Sequence, residues 1–133
     1  MFKTICVTNR NICEGDFLKR IDALGQLEAS MRPDAIVLRE KDLSMDSYEN
    51  LAKDVLAVCR KNEIPCILHN FPRVAVKLNH PALHLPLPVL RTLKKEERDY
   101  FTCLGTSCHG AEDAKEAKDL GCTYIMEIGR AHA

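Results

Sequence analysis

Short apolar runs in this chain are separated by longer stretches in which apolar residues recur at helical spacing. Thr4–Thr8 (TICVT) predicts a strand. Asp16–Met31 predicts a helix, with Phe17, Ile21, Leu24 and Leu27 on one face and Pro33 closing it. Ala35–Leu38 is continuously apolar, the pattern of a strand buried on both faces. Ser44 then offers an N-cap, with Asp46 in the first turn. In the helix it opens, Tyr48, Leu51, Ala52, Val55, Leu56 and Cys59 repeat at i, i+3, i+4, i+7, i+8 and i+11, a single amphipathic stripe.

Pro65 opens a third strand, Cys66–His69, and Pro72–Leu78 a short helix. Ala82–Leu85 (ALHL) reads as the fourth strand, and Pro86 and Pro88 exclude a regular ladder beyond it. Val89–Glu97 predicts a helix, Phe101–Thr106 a fifth strand, and Ala111–Leu120 a helix closed by Gly121. Cys122–Met126 begins a sixth strand. Strand and helix thus alternate with no linker or low-complexity tract between them. That order implies an α/β protein with parallel strands, either an open doubly wound sheet or a (β/α)8 (TIM) barrel. No G-x-G-x-x-G or G-x-x-x-x-G-K-[ST] occurs, which removes support from the nucleotide-binding open sheets. A whole barrel runs to roughly 250 residues, so this chain would be about two-thirds of one.

Composition narrows the function classes. The chain has 133 residues, enough for its own core, with 46% hydrophobic and 29% charged residues. Nineteen basic residues balance 19 acidic ones, and there is no Trp. Neither a basic footprint for nucleic acid nor a surface for anionic membranes follows from that balance. No apolar stretch approaches the roughly 20 residues of a membrane span, and MFKTICVTNR lacks the long apolar region of a signal peptide. A cytoplasmic protein is the expectation. Seven cysteines stand at 6, 13, 59, 66, 103, 108 and 122 with no C-x-x-C pair. That spacing suits neither a zinc knuckle nor a redox dithiol, and most of them read as small buried hydrophobes.

In either parallel architecture, chemistry sits beyond the C-terminal ends of the strands. Arg39, Glu40 and Lys41 follow the second strand, and His69 and Asn70 come at the end of the third. The fourth strand carries His84, and Ser107, Cys108 and His109 follow the fifth. Each has a plain alternative: a solvated turn for the charged run, a core histidine for His84, a bystander thiol for Cys108. Together they gather cations, a hydroxyl and imidazoles at one edge, a mixture suited to an anionic substrate such as a phosphate or diphosphate.

The motifs TICVTNR, IVLREKDLS, CILHN, ALHLP and GTSCHGAEDAKEAKDLGCTYI, in that order across residues 4–126, resemble the thiamine phosphate synthase/TenI superfamily. The resemblance implies a (β/α)8 barrel, here incomplete with about six strands, acting in thiamine biosynthesis. The synthases join hydroxymethylpyrimidine diphosphate to a thiazole phosphate and release pyrophosphate. The resemblance implies a substrate- and diphosphate-binding set of Arg39, Lys41, His69, Asn70 and Ser107, in which by motif position Arg39 and Lys41 would grip the diphosphate and Ser107 would donate a hydrogen bond to it. Glu40 has no assigned role. The other branch isomerises the thiazole ring, and there His109, in Gly-x-Ser-x-His, would be the acid/base. Mg²⁺ is the cofactor the family implies. However, Asn70 stands where a synthase has a metal carboxylate, and Pro86-Leu87-Pro88 replaces a Gly-Gln-x-Asp segment. Both expected carboxylates are missing, which also motivates a third reading: a barrel that binds pathway phosphates without turning them over. The expected partners are small-molecule phosphates.

After Met126 the family would continue with Gly, an apolar pair, Thr and Lys, but Glu127 to Ala133 (EIGRAHA) match none of this. The run reads like a translated sequencing adapter, so residues 1–126 are expected to be a partial barrel and 127–133 an artefactual tail. A barrel without its last strands leaves edges unpaired, which invites association into homo-oligomers. Such a fragment is expected to be of low stability and inactive.

Overall fold

A computed structural model describes residues 2–127. The backbone forms two compact units, one ending at His69 and the other starting at Asn70.

The first unit holds β1 (Ile5–Val7), α1 (Phe17–Gly25), β2 (Ala35–Leu38), α2 (Met45–Lys61) and β3 (Cys66–His69), with a 3-10 turn at Arg10–Ile12. β2 pairs in parallel with both β1 and β3, Ile36 standing beside Cys6 and Cys66. All four residues of β2 are buried, as a central strand covered on both faces requires. The Ser44 hydroxyl caps α2 by accepting from the Ser47 N–H at 3.2 Å. The stripe on α2 is buried at Tyr48, Ala52, Val55, Leu56 and Cys59. The Tyr48 hydroxyl donates to the Leu38 carbonyl at 2.6 Å and accepts from the His69 N–H at 2.8 Å, tying α2 to the ends of β2 and β3. Burial pushes this phenol's pKa far above its usual value.

α1 stops at Gly25, short of the expected Met31. Gly25 lies so close to the end of α2 that a Cβ there would stand 2.4 Å from the Asn62 side chain. Asn62 is fastened in turn by Gln26 at 2.7 Å and Asp22 at 2.8 Å. Leu27, placed on the helix face by its spacing, is left exposed in the turn that follows.

The second unit holds α3 (Pro72–Lys77), β4 (Ala82–Leu85), α4 (Leu87–Thr92), α5 (Lys95–Asp99), β5 (Cys103–Cys108), α6 (Ala111–Asp119) and β6 (Tyr124–Glu127). β5 is paired in parallel with β4 and with β6. Gly121, at φ +92°, ends α6 in the left-handed conformation that glycine adopts without strain. Two expectations are corrected here. The helix expected over Val89–Glu97 is two helices, because the chain turns extended at Leu93 and Lys94. The Glu97 carboxylate then accepts the Lys94 N–H at 2.8 Å and starts a new helix. The fifth strand begins at Cys103, not Phe101, because the Phe101 N–H still closes the turn on Arg98 at 3.1 Å. Ser107 and Cys108 therefore lie inside β5 rather than beyond it. Glu127 closes β6, and residues 128–133, the rest of the expected tail, lie outside the described residues.

Candidate functional site

In the first unit, the chain leaves β2 at Arg39 and turns at Lys41 and Asp42, the Leu43 N–H closing on the Glu40 carbonyl at 3.4 Å. Arg39 and Lys41 are exposed, while Glu40 between them is 3% exposed. The buried carboxylate is saturated by the segment that follows β1. Thr8 Oγ1 donates to Glu40 Oε2 at 2.7 Å, and the Arg10 N–H lies 2.9 and 3.0 Å from the two carboxylate oxygens. Arg10 Nη1 adds a contact at 3.3 Å. The same guanidinium grips Asp42 at 2.9 and 3.2 Å. Thr8 Oγ1 also accepts from the Arg39 N–H at 3.0 Å, fixing the backbone from which the Arg39 side chain departs. Asn9, Asn11, Arg39, Glu40, Lys41 and Asp42 line a cleft of about 140 Å³. Arg10 balances one of the two carboxylates, and Arg39 and Lys41 leave the cluster positive by one charge. Among the described residues neither Arg39 nor Lys41 makes an ion pair.

In the second unit a polar row crosses three strands. His84 of β4, Gly105 of β5 and Tyr124 of β6 are register neighbours. The His84 ring is buried; its Nδ1 lies 2.8 Å from the Tyr124 hydroxyl and its Nε2 2.9 Å from Ser107 Oγ. Period-two alternation puts Gly105 and Ser107 on the same face of β5. Burial pushes the Tyr124 phenol's pKa far above its usual value, so the hydroxyl keeps its proton. His109 stands apart, exposed just beyond β5. Its N–H donates to Asp113 Oδ2 at 3.0 Å, and its Nδ1 lies 3.7 Å from the same oxygen. Asn70 takes a left-handed backbone, φ +71°, which asparagine tolerates, and its N–H donates to the His84 carbonyl at 3.0 Å.

The family profile described as thiamine monophosphate synthase matches residues 4–130. The chain belongs to the thiamine monophosphate synthase family. It is 30% identical over 125 residues to the thiamine-phosphate synthase of Clostridium tetani, covering 90% of this chain and 56% of that protein. It is 28% identical over 130 residues to the thiamine-phosphate synthase of Caldanaerobacter subterraneus subsp. tengcongensis, covering 92% and 59%. The solved thiamine phosphate pyrophosphorylase of Pyrococcus furiosus superposes with a TM-score of 0.73 at 19% identity, covering 92% of this chain and 58% of that one. That likeness shows the fold, and the barrel-type α/β class expected from the sequence stands. The chain thus spans less than three-fifths of the length of these synthases.

Within this synthase-family chain, the residues singled out by sequence separate into groups. Arg39 and Lys41 share one cleft, and Ser107 is joined to His84 rather than to its sequence neighbour His109. His69 is the buried last residue of β3, its N–H held by Tyr48. Cys108 is buried, and burial, with the charge of Asp113, raises its thiol pKa, so it is no thiolate nucleophile. Sequence reasoning missed Arg10, which carries the Glu40 anchor, and Tyr124. The donor set does not fit Mg²⁺, a cation that favours carboxylate oxygen. Glu40 and Asp42 are committed to Arg10, Asn70 offers a neutral amide, and the start of α4 at Pro86-Leu87-Pro88 brings no carboxylate. Among the described residues no cluster of three or more His, Cys, Asp or Glu is arranged for a metal. Among the described residues, too, no helix is long and apolar enough to cross a membrane.

Proposed function

We propose that this chain serves thiamine phosphate synthase chemistry, and that Arg39 and Lys41 hold the diphosphate of the pyrimidine substrate. In that reaction the bond from the pyrimidine methylene carbon to a diphosphate oxygen breaks, and the electron pair leaves with the diphosphate. The thiazole nitrogen then attacks the methylene carbon, giving thiamine phosphate and pyrophosphate. The group needing help is the departing diphosphate, whose charge grows as the bond breaks. The observation that carries the reading is the pair of solvent-facing cations on either side of a saturated carboxylate. Charge-assisted contacts of about 1.5 kcal/mol each are ordinary for such donors. Titration calorimetry with inorganic pyrophosphate tests this. Each of Arg39→Gln and Lys41→Gln should weaken binding about 10-fold, and added salt should weaken it further. Affinity untouched by both substitutions defeats the proposal. Retained binding with no thiamine phosphate formed, with or without Mg²⁺, would instead favour a protein that binds pathway phosphates without turnover.

A second reading rests on His109. An exposed imidazole with a carboxylate near one ring nitrogen suits proton transfer at the other. It would serve the thiazole isomerisation of the TenI branch. His109→Asn should abolish that isomerisation, and an unchanged rate rules the reading out.

A further inference from the structure

We propose that Tyr124 and His84 form a positioning relay that turns the Ser107 hydroxyl proton away from the imidazole and toward an anion bound at the end of β5. The proposal rests on the reading above that this chain takes a phosphate-type ligand.

The geometry sets up the relay. Tyr124 belongs to β6 and His84 to β4, two strands apart, yet they meet at 2.8 Å. The contact is possible because Gly105, between them in register, has no side chain. A Cβ at Gly105 would stand 2.0 Å from the Tyr124 Cζ. The glycine is thus a gap through which the phenol reaches the imidazole, and it explains why Gly-x-Ser begins with glycine here. Ser107, two residues along the same face, meets the other ring nitrogen at 2.9 Å.

With His84 neutral, two polarities satisfy these bonds. In one, Ser107 donates to Nε2 and Nδ1–H donates to the tyrosine. Ser107 would then offer an anion only lone pairs, and the contact would be repulsive. In the other, the tyrosine donates to Nδ1 and Nε2–H donates to Ser107 Oγ. The hydroxyl oxygen is then an acceptor toward the ring, and its own proton points elsewhere. Each polarity has one O–H on a bare ring nitrogen and one ring N–H on an oxygen; the phenol is a better donor than the serine hydroxyl, and the serine oxygen a better acceptor than the phenol oxygen. Burial keeps Tyr124 protonated. The second polarity is therefore favoured, and Ser107 presents a proton to the ligand with its oxygen already fixed.

Long-range nitrogen–proton NMR correlation on the purified chain, at mildly alkaline pH, reads the His84 tautomer directly. The expected form is neutral with the proton on Nε2. A proton on Nδ1, or on both nitrogens, overturns the relay whatever pyrophosphate does. Pyrophosphate titration supplies the functional arm. Tyr124→Phe keeps the ring but removes the donor, and should weaken binding about 5-fold, the equivalent of one hydrogen bond of about 1 kcal/mol. The same substitution in a Ser107→Ala background should have no further effect. Equal losses in both backgrounds overturn the relay. If Ser107→Ala binds pyrophosphate as tightly as the wild type, the anion reading of Ser107 falls. The tautomer measurement, which needs no ligand, still decides the hydrogen-bond chain by itself.

Discussion

Replacing Glu40 with Gln tests whether the exposed cations stand on a buried carboxylate. The shape is preserved and the charge is lost. Two short bonds carry most of the anchor, from Thr8 Oγ1 at 2.7 Å and from the Arg10 N–H at 2.9 Å. An acceptor that loses its charge drops each from about 1.5–3 to about 0.5–1.5 kcal/mol. The amide supplies one acceptor oxygen instead of two: at the Oε2 position it still takes Thr8 and the Arg10 N–H, but the contacts that Arg10 makes with Oε1 are lost. The Arg10 guanidinium is partly exposed, and its share is discounted for screening. The sum is about 2 kcal/mol for Glu40→Gln and about 3–4 kcal/mol for Glu40→Ala, which leaves both donors unpaired. Urea unfolding followed by circular dichroism is the assay. With a slope of about 2 kcal/mol/M, the Gln variant should unfold about 1 M earlier. Pyrophosphate binding should weaken as well, because the Thr8 hydroxyl that accepts the Arg39 N–H is itself held less firmly. A Gln variant with wild-type midpoint and affinity would show that Glu40 is a passive turn residue and that the reasoning is wrong.

Tyr48→Phe should cost about 2–4 kcal/mol, since a buried carbonyl and a buried N–H both lose their partner; wild-type protection of the His69 amide in hydrogen exchange would contradict this. Gly105→Ala should destabilise by about 1–3 kcal/mol through overpacking against Tyr124. Most of that penalty should vanish in a Tyr124→Val background, and additive losses in a double-mutant cycle would refute the clash. The Asp34 carboxylate accepts the Lys3 N–H at 2.7 Å and the Thr4 N–H at 3.0 Å, and these bonds lower its pKa. A lowered folded pKa means stability present above the unfolded value and lost as pH falls through the folded one. Asp34→Asn should therefore flatten the acid limb of the stability curve. A carboxyl NMR titration placing Asp34 at or above the ordinary aspartate range would refute it.

The elements that could be read from sequence are those whose cause is local. β2, β3 and β4 have the expected limits because continuous apolar runs end at charge, at a Pro or at a helix signal. α2 was legible from its stripe and its Ser44 cap. Spacing alone overextends α1, because its end at Gly25 packs on Asn62, the residue that caps α2 about 40 positions later in the chain. The site was legible only as a place. Arg39 and Lys41 could be singled out by type, but Glu40 needs Thr8 and Arg10, about 30 positions earlier in the chain. Alternation past Leu38 does not single Glu40 out, because β2 is buried on both faces. Gly105 carries a signal of its own, since a glycine inside an apolar strand marks a close approach. Which side chain approaches depends on the register of β5 against β6, and no spacing along the chain encodes that.

Tyr48 has one more consequence. Its hydroxyl belongs to a helix, but its partners are the terminal peptide groups of two strands. Fraying the first turns of α2 would strip both strand ends at once, and separating those ends would free the helix. The two kinds of secondary structure thus open as one cooperative unit rather than as neighbours. Its amides should exchange hydrogen with a common free energy, and Leu38, the residue before the exposed cations, sits inside that unit rather than at its edge.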